Sequence, residues 1–475
     1  MEKKWCTEAK RKLKDAKRYL KTDYRVHCKP EEAACPDHCR KFALSDKQDP
    51  DFQEFCSHQH LETCGYCENL KNVLDEVEVQ IRGSSWHPYS EDQQEDLLYD
   101  FRQARTNIFH WKAHIVRSVN QEAAKQDQLK MIAYNPESAF LVMDWAMTFQ
   151  QLRYFEKQSD WYGNRGMSWH ISTVICSDPE NPGSLELQSY AHLFDACQQD
   201  WFAVCSVAEH TLQEIKRQKP HVSKIYLRSD EAGCYHNNFL IAAVKDFGQR
   251  MGIDVCRYDY SQPQCSKDVC DRILCPMKSC IRRFCDEGHD IFTAADMKRA
   301  LSERPVIGTT ACVCAVDETR KTLEVKKMVG FKRLHNFQFE EKGIRVWRSY
   351  GKGPGEEFPF DQLVSQSQES TALLVISEFF YFKDTRVYRC QKPLSESSND
   401  YRDNQLQLCE CWEPGCVKRF PIFSELESHL NVGDHIIKQA RKDSKTLYDK
   451  LRRNWVERFI TAVNITEDMP STSSV

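Results

Sequence analysis

The chain has 475 residues, 41% hydrophobic and 29% charged, with a net charge of -4 and 23 cysteines. That is length for about three domains and at least one sizeable core. It excludes a wholly disordered chain, and the longest apolar-leaning run, residues 371–382, is too short to span a bilayer and carries Glu378.

Residues 1–29 are amphiphilic, rich in Lys and Arg, and without the apolar stretch of a secretory leader, so an intracellular chain with reduced thiols is expected. The cysteines fall in three groups: seven within residues 1–67, twelve within 176–314 and four within 390–416. In the first group, HCKPEEAACPDHC and CSHQHLETCGYC offer Cys28, Cys35, His38, Cys39, Cys56, His58, His60, Cys64 and Cys67 as ligands. The pairs Cys35/Cys39 and Cys64/Cys67 have the tight spacing of zinc ligands, and soft thiolates select zinc. One set of four is Cys35, Cys39, Cys64 and Cys67; another recruits His60 or Cys56, and more than one zinc has room. Residues 1–82 are therefore expected to form a basic zinc module.

Residues 83–136 read as a helical connector, free of Gly and Pro over 101–130 and apolar at every third or fourth position. His110 and His114 share a helical face without a third ligand in sight, so they read as ordinary core or surface histidines. From residue 137 to 318 the pattern changes. AFLVMDWAMTF is a short strand interrupted by Asp144, MSWHISTVIC a second and LELQSYAHLFD a third. DWFAVCSVAEHTLQEIKR follows as a helix stopped at Lys219 and Pro220, then HVSKIYLRSDEAG as a strand ending at Asp230. A helix through NNFLIAAVKDFGQRMG, the strand IDVCRYDY and the helix SKDVCDRILCPMKSCIRRFCDEG complete the order. Three strands able to form hairpins, then alternating units, imply a mixed sheet with helices on its faces. Cys265, Cys270, Cys275, Cys280 and Cys285 recur every fifth residue, which scatters them around the helix, so packing residues or free thiols are expected rather than one metal site.

Residues 319–395 read as a mixed extension. RVWRSYGKGPG lacks the P-loop pattern and reads as a hairpin before a nucleic-acid grip, ACVCAVDE reads as a strand, and TALLVISEFFYF reads as a core strand. After a linker over 396–408, residues 409–436 place Cys411, Cys416, His429 and His435 in the spacing C-x4-C-x12-H-x5-H. This resembles a C2H2 zinc finger, a unit too small to fold without its metal. Its usual base-reading positions fall near Pro421, Ser424 and Glu427, a poor guanine-reading set, so an accessory clamp or protein-binding surface is expected. Residues 437–470 read as a basic helix and 471–475 as a disordered tail.

The order of elements resembles the ribonuclease-H-like fold of DDE transposases and integrases, and its acids fall where that resemblance requires them. The family has one carboxylate on the first strand, one after the fourth and one on the helix after the fifth. Asp144 and Asp230 match the first two; Asp268 and Asp271 both match the third, and Glu287 lies at the far end of the same helix. DWYGNRGMSWH, LRSDEAGCYHNN, YDYSQPQCSKDVCDR and EGHDIFTAADMKRAL are similar to segments of transposase-derived zinc-finger proteins of animal genomes. Ser266 departs from their usual glycine, and Glu231 from a frequent asparagine. The resemblance implies an α/β ribonuclease-H-like core between Cys/His zinc modules at both ends. It implies a nuclear, DNA-binding chain with structural zinc and, if catalytic, magnesium or manganese on Asp144, Asp230 and Asp268 or Asp271. Its activity would be DNA cleavage and strand transfer. A catalytically inactive regulator or scaffold, or a nuclease without strand transfer, are the alternatives. Expected partners are DNA and proteins docked on the zinc modules, with no membrane and with room for a homo-oligomer.

Overall fold

The computed structural model describes residues 2–83, 90–154, 166–262, 268–366, 373–382, 384–388, 409–410 and 419–420. Residues Met1–Lys392 make one compact unit and Pro393–Val475 another. In the second unit Cys409–Glu410 pairs antiparallel with Arg419–Phe420. The expected finger ligands Cys411, Cys416, His429 and His435, and the basic helix over 437–470, lie outside the described residues.

The first unit begins with helices α1 (Glu2–Lys21), α2 (Gly65–Gly83) and α3 (Glu91–Ala133). Strands β1 (Ser138–Trp145), β2 (Ser168–Ser177) and β3 (Leu185–Phe194) follow, then α4 (Trp201–Gln218), β4 (Lys224–Ser229), α5 (Asn238–Arg250), β5 (Asp254–Tyr260), α6 (Val269–Asp286), α7 (Ala294–Glu303) and β6 (Thr309–Val316). The expected succession of strands and helices is thus present. Beyond it come β7 (Asn336–Phe339), β8 (Gly343–Trp347), β9 (Glu356–Pro359), β10 (Leu373–Ser377) and β11 (Arg386–Tyr388). All eleven strands share one mixed sheet, in the order β9-β8-β7-β5-β4-β1-β2-β3-β6-β10, with β11 also on β3. β1 is antiparallel to β2 and parallel to β4, and β4 is parallel to β5.

The central strands are apolar on both faces because helices cover both. In β1, Leu141 and Met143 enter one core while Phe140 and Val142 enter the other, the period-two alternation of a strand. The first core receives Val204, Ala208, Leu212 and Ile215 from α4 and Ile241, Val244 and Phe247 from α5. The second receives Ile273, Met277 and Ile281 from α6, Met297 and Leu301 from α7, and Leu129 and Ile132 from the end of α3. Spacings of three and four make each helix present one stripe. On α6, Cys270 and Cys285 are buried and Cys275 is exposed, as a five-residue repeat demands.

Helix α3 has 43 residues and starts with a capping box between Ser90 and Gln93. Its middle packs Ile115, Val116 and Val119 against Tyr19, Cys67 and Leu70 of the N-terminal helices. Its later turns lay a polar seam on the sheet. Gln121 exchanges hydrogen bonds with Asn336 (2.9 and 3.0 Å), and the buried Asp259 accepts from Asn336 (2.7 Å) and Gln128 (2.9 Å). These specific bonds fix one register of helix on sheet rather than a loose apolar contact.

Two local expectations change. β10 is the end strand of the sheet, with Leu374 and Ile376 51% and 67% exposed, so TALLVISEFFYF is an edge strand rather than a core one. Only its alternate side chains reach the core. The RVWRSYGKGPG segment is a hairpin, and its cations are engaged: Arg348 pairs with Asp46 and with Asp49, and Lys352 with Glu31. Gly353 has φ 81°, and a Cβ there would meet the Asp51 carbonyl at 2.6 Å, so the turn requires glycine.

At the start of α4, Asp200 accepts from the Phe202 and Ala203 N–H groups (3.0 Å each) and pairs with Lys321 at 2.6 Å. Asp200→Ala should lower stability by about 1–2 kcal/mol, read as a lower denaturant midpoint with an unchanged slope.

Candidate functional site

β1 and β4 lie side by side in parallel, with Val142 opposite Arg228. Asp144 and Asp230 each follow two residues beyond that pair, so the two strands deliver both carboxylates to one end of the sheet. Asp144 shares its strand parity with Phe140 and Val142 and so projects toward the face that α6 covers. Asp268 is the N-cap of α6, and Asp271 lies in its first turn.

The charges of these acids bear on one another. Asp144 is half-buried, and desolvation, followed by the charges of Asp230, Asp271 and Asp268, pushes its carboxyl up to about 7. Desolvation also raises the Asp230 carboxyl, with help from Glu231 and Asp271 and against a hydrogen bond from the Ala232 N–H. Asp268 behaves oppositely. Burial alone would raise it, but Lys125 and Arg228, with the Val269 N–H, hold it below the usual carboxylate range. The Lys125 ammonium is 2.6 Å from its Oδ1, and Arg228 is 4.0 Å from Oδ2. Asp271 is exposed, one turn along the helix. Glu231 turns to His335 (2.5 Å) and accepts from Gln262 (3.2 Å), and Glu287 is bound by Arg283 and Arg304 at the helix's far end.

Three groups of His and Cys among the described residues bring their ligand atoms within 4.8 Å of one another, and no three of the aspartates do. Two groups belong to the N-terminal module. The first is Cys39, Cys56, His58 and His60; the Cys39 sulfur is 3.7 Å from that of Cys56 and 3.6 Å from His58 Nε2. Those separations suit two ligands of one tetrahedral ion with bonds of about 2.0–2.3 Å. The second is His27, His38 and Cys64, with Cys67 3.6 Å from His38 Nε2. The Tyr19 hydroxyl stands 3.0 Å from His38, 3.2 Å from His27, 3.3 Å from Cys64 and 3.5 Å from Cys67, so all four converge on one place.

The set Cys35, Cys39, Cys64 and Cys67 is therefore not gathered into one place: Cys39 stands in the first group, Cys64 and Cys67 in the second, and Cys35 in neither. The chain nests one group inside the other. A backbone bond from Glu62 N–H to the Ala34 carbonyl folds residues 56–62 back on residues 33–39. The first turn of α2 carries Cys67 to His38 across from Tyr19 of α1. His27 was not among the sequence candidates, although it adjoins Cys28 in the first cysteine-rich stretch.

The third group is His192, His210 and Cys312, inside the central sheet. Its signal in the sequence was the C-x-C of ACVCAVDE, which puts two thiols on one face of a strand.

The structure is that of a mixed α/β domain with three Cys/His clusters that could chelate a divalent metal. Residues 124–337 match a family model described as "Domain of unknown function (DUF8701)", a stretch that holds the four aspartates and the third cluster but not the N-terminal pair. No curated protein matches the chain.

Proposed function

We propose that the protein is a nuclear, transposase-derived DNA-binding protein whose central domain is ribonuclease-H-like, with Asp144, Asp230 and Asp271 as its divalent-metal ligands. The observation that carries this reading is the delivery of Asp144 and Asp230 to neighbouring parallel strand ends, beside an exposed acid on the helix after β5. Hard oxygen donors crowded enough to raise one another suit magnesium or manganese, because a cation would relieve their repulsion. Bound there, such ions supply activation of a nucleophile and stabilisation of a phosphodiester leaving group. Asp271 fits the third place better than Asp268, whose charge is already spent on Lys125.

The two N-terminal clusters hold structural zinc, which adds to the small apolar core around Tyr19, Tyr24 and Leu70. Cys56→Ser and Cys64→Ser should each release one zinc per chain and the double variant two, counted by elemental analysis of the full chain. On α1, Lys4, Lys10, Lys14, Lys17, Arg18 and Lys21 are exposed and offer contacts to phosphates.

The test is direct. The full chain should bind duplex DNA with an affinity that falls steeply with salt, and should nick supercoiled DNA in manganese. Affinity indifferent to salt would refute the DNA reading. Salt-sensitive binding without nicking on any DNA substrate would select the second reading, an inactive regulator. That no three of the aspartates lie within 4.8 Å of one another favours that alternative. Nicking without joining of DNA ends would select a nuclease.

A further inference from the structure

The third cluster lies on the face of the sheet away from α6, and nothing in the proposed DNA chemistry uses it. His192 on β3 stands in register with Cys312 on the parallel neighbour β6. His210 reaches them from α4, with its Nδ1 3.0 Å from His192 Nε2. The Cys312 sulfur lies in one group with both imidazoles, their ligand atoms all within 4.8 Å of one another, and the Cys314 thiol, two residues along on the same face, donates to the Leu193 carbonyl at 3.8 Å. His192 and Cys312 are fully buried and Cys314 is 2% exposed. Phe379 closes the cluster, stacked on the His210 ring at 5.2 Å and edge-on to His192 at 5.3 Å.

We propose that His192, His210 and Cys312, joined by Cys314 on turning from the Leu193 carbonyl, bind one structural zinc ion that locks β6 and α4 onto β3. Four ligands of this mixture close a tetrahedral zinc shell and leave no open position for a substrate. Charge supports the choice of ion. Two thiolates neutralise a divalent cation, so the complex has no net charge in a pocket otherwise lined by Phe194, Val207 and Phe379. Binding releases the two thiol protons to solvent, so loading should be favoured as pH rises. The site does not depend on the cleavage reading, since it joins the two sides of β3 whether or not the aspartates hold metal.

The experiment counts zinc in the full chain and in Cys312→Ser and His210→Asn. Each variant should lose one zinc per chain relative to wild type while the N-terminal ions stay bound. Cobalt substitution should lose its thiolate charge-transfer absorption in proportion. Should Cys312→Ser fail to fold, His210→Asn supplies the count, because His210 is only partly buried. In the unmodified protein, Cys312 and Cys314 should resist alkylation until a strong chelator is added, read by peptide mass spectrometry. An unchanged zinc count in folded His210→Asn, together with alkylation of these thiols indifferent to chelator, would overturn the proposal and leave a metal-free thiol–imidazole cluster. Cys197 also lies near Cys314. If Cys314→Ser keeps the full zinc count while Cys197→Ser loses one, the fourth ligand is not Cys314 and the proposed set fails.

Discussion

Asp144→Asn should abolish manganese-supported nicking, leave DNA affinity largely intact, and make the metal-free protein more stable rather than less. The gain follows from the environment of the carboxyl. Asp144 is held half-buried beside Asp230 and Asp271, and its pKa rises from 3.8 to about 7. Below the ordinary value the group is protonated whether the chain is folded or not, so the fold bears no cost. Between 3.8 and about 7 the unfolded chain releases its proton while the folded one retains it, and the cost grows; above about 7 it is constant. An asparagine never ionises there. In chelator at pH 8 the variant should therefore exceed wild type by about 1–2 kcal/mol, once screening by solvent at the cleft is allowed for. The difference should vanish near pH 3. Denaturant titrations at the two pH values measure it directly. A stability loss at pH 8 would show that Asp144 is an ordinary, well-satisfied strand residue. Undiminished nicking by the variant would remove it from the reaction.

Lys125→Met should be the more damaging change, although Lys125 lies well away in sequence from every strand-end acid. Its ammonium is buried on α3 and donates to Asp268 at 2.6 Å. Removing it strands a half-buried carboxylate that has only the Val269 N–H at 2.7 Å and Arg228 at 4.0 Å left. Loss of one partner from such a pair costs about 3–5 kcal/mol, and the surviving Arg228 puts this case near 3. Asp268→Asn in the Lys125→Met background should recover much of that loss, because a neutral amide needs no counter-charge. The pH dependence has the opposite sign to that of Asp144. Asp268 is held below its ordinary range, so its contribution is present above that range and is lost as pH falls through the folded value. Lys125→Met should accordingly flatten the acid limb of the stability curve. An additive double variant would separate the two residues.

The succession of strands and helices was legible because both periods are clean. LVM before Asp144 alternates between two cores, and Val204, Ala208 and Leu212 repeat at four. Asp144 itself was legible as a charge inside an apolar run, which is costly unless used. The choice between Asp268 and Asp271 was not, because it depends on a lysine on α3, and no local pattern announces that contact. The metal groups were legible as a pool of candidates, and their partition was not, for the same reason. Short spacing suggested Cys35 with Cys39, yet Cys39 is grouped with Cys56, His58 and His60 by a chain reversal near Glu62. His192 and Cys312 become neighbours only through the pairing of β3 with β6. The apolar richness of TALLVISEFFYF pointed to the core, but periodicity does not reveal a strand's place in a sheet.

Helix α3 bears on how the molecule can be divided. One end is built into the N-terminal module and the other supplies Gln121, Lys125 and Gln128 to the sheet. The stretch that matches the family model opens at residue 124, inside this helix. A fragment starting at 137 would surrender all three polar side chains and leave Asp259 and Asp268 short of partners. A fragment starting at 124 would keep two of them on a frayed and uncapped helical stub. Ser90, where the capping box begins, is the natural place to cut. Even there, the turns bearing Ile115, Val116 and Val119 would face water instead of Tyr19 and Leu70. The sheet thus borrows its rigidity from the N-terminal module, and losing metal at the front of the chain should loosen amide protection at the strand ends that carry the aspartates.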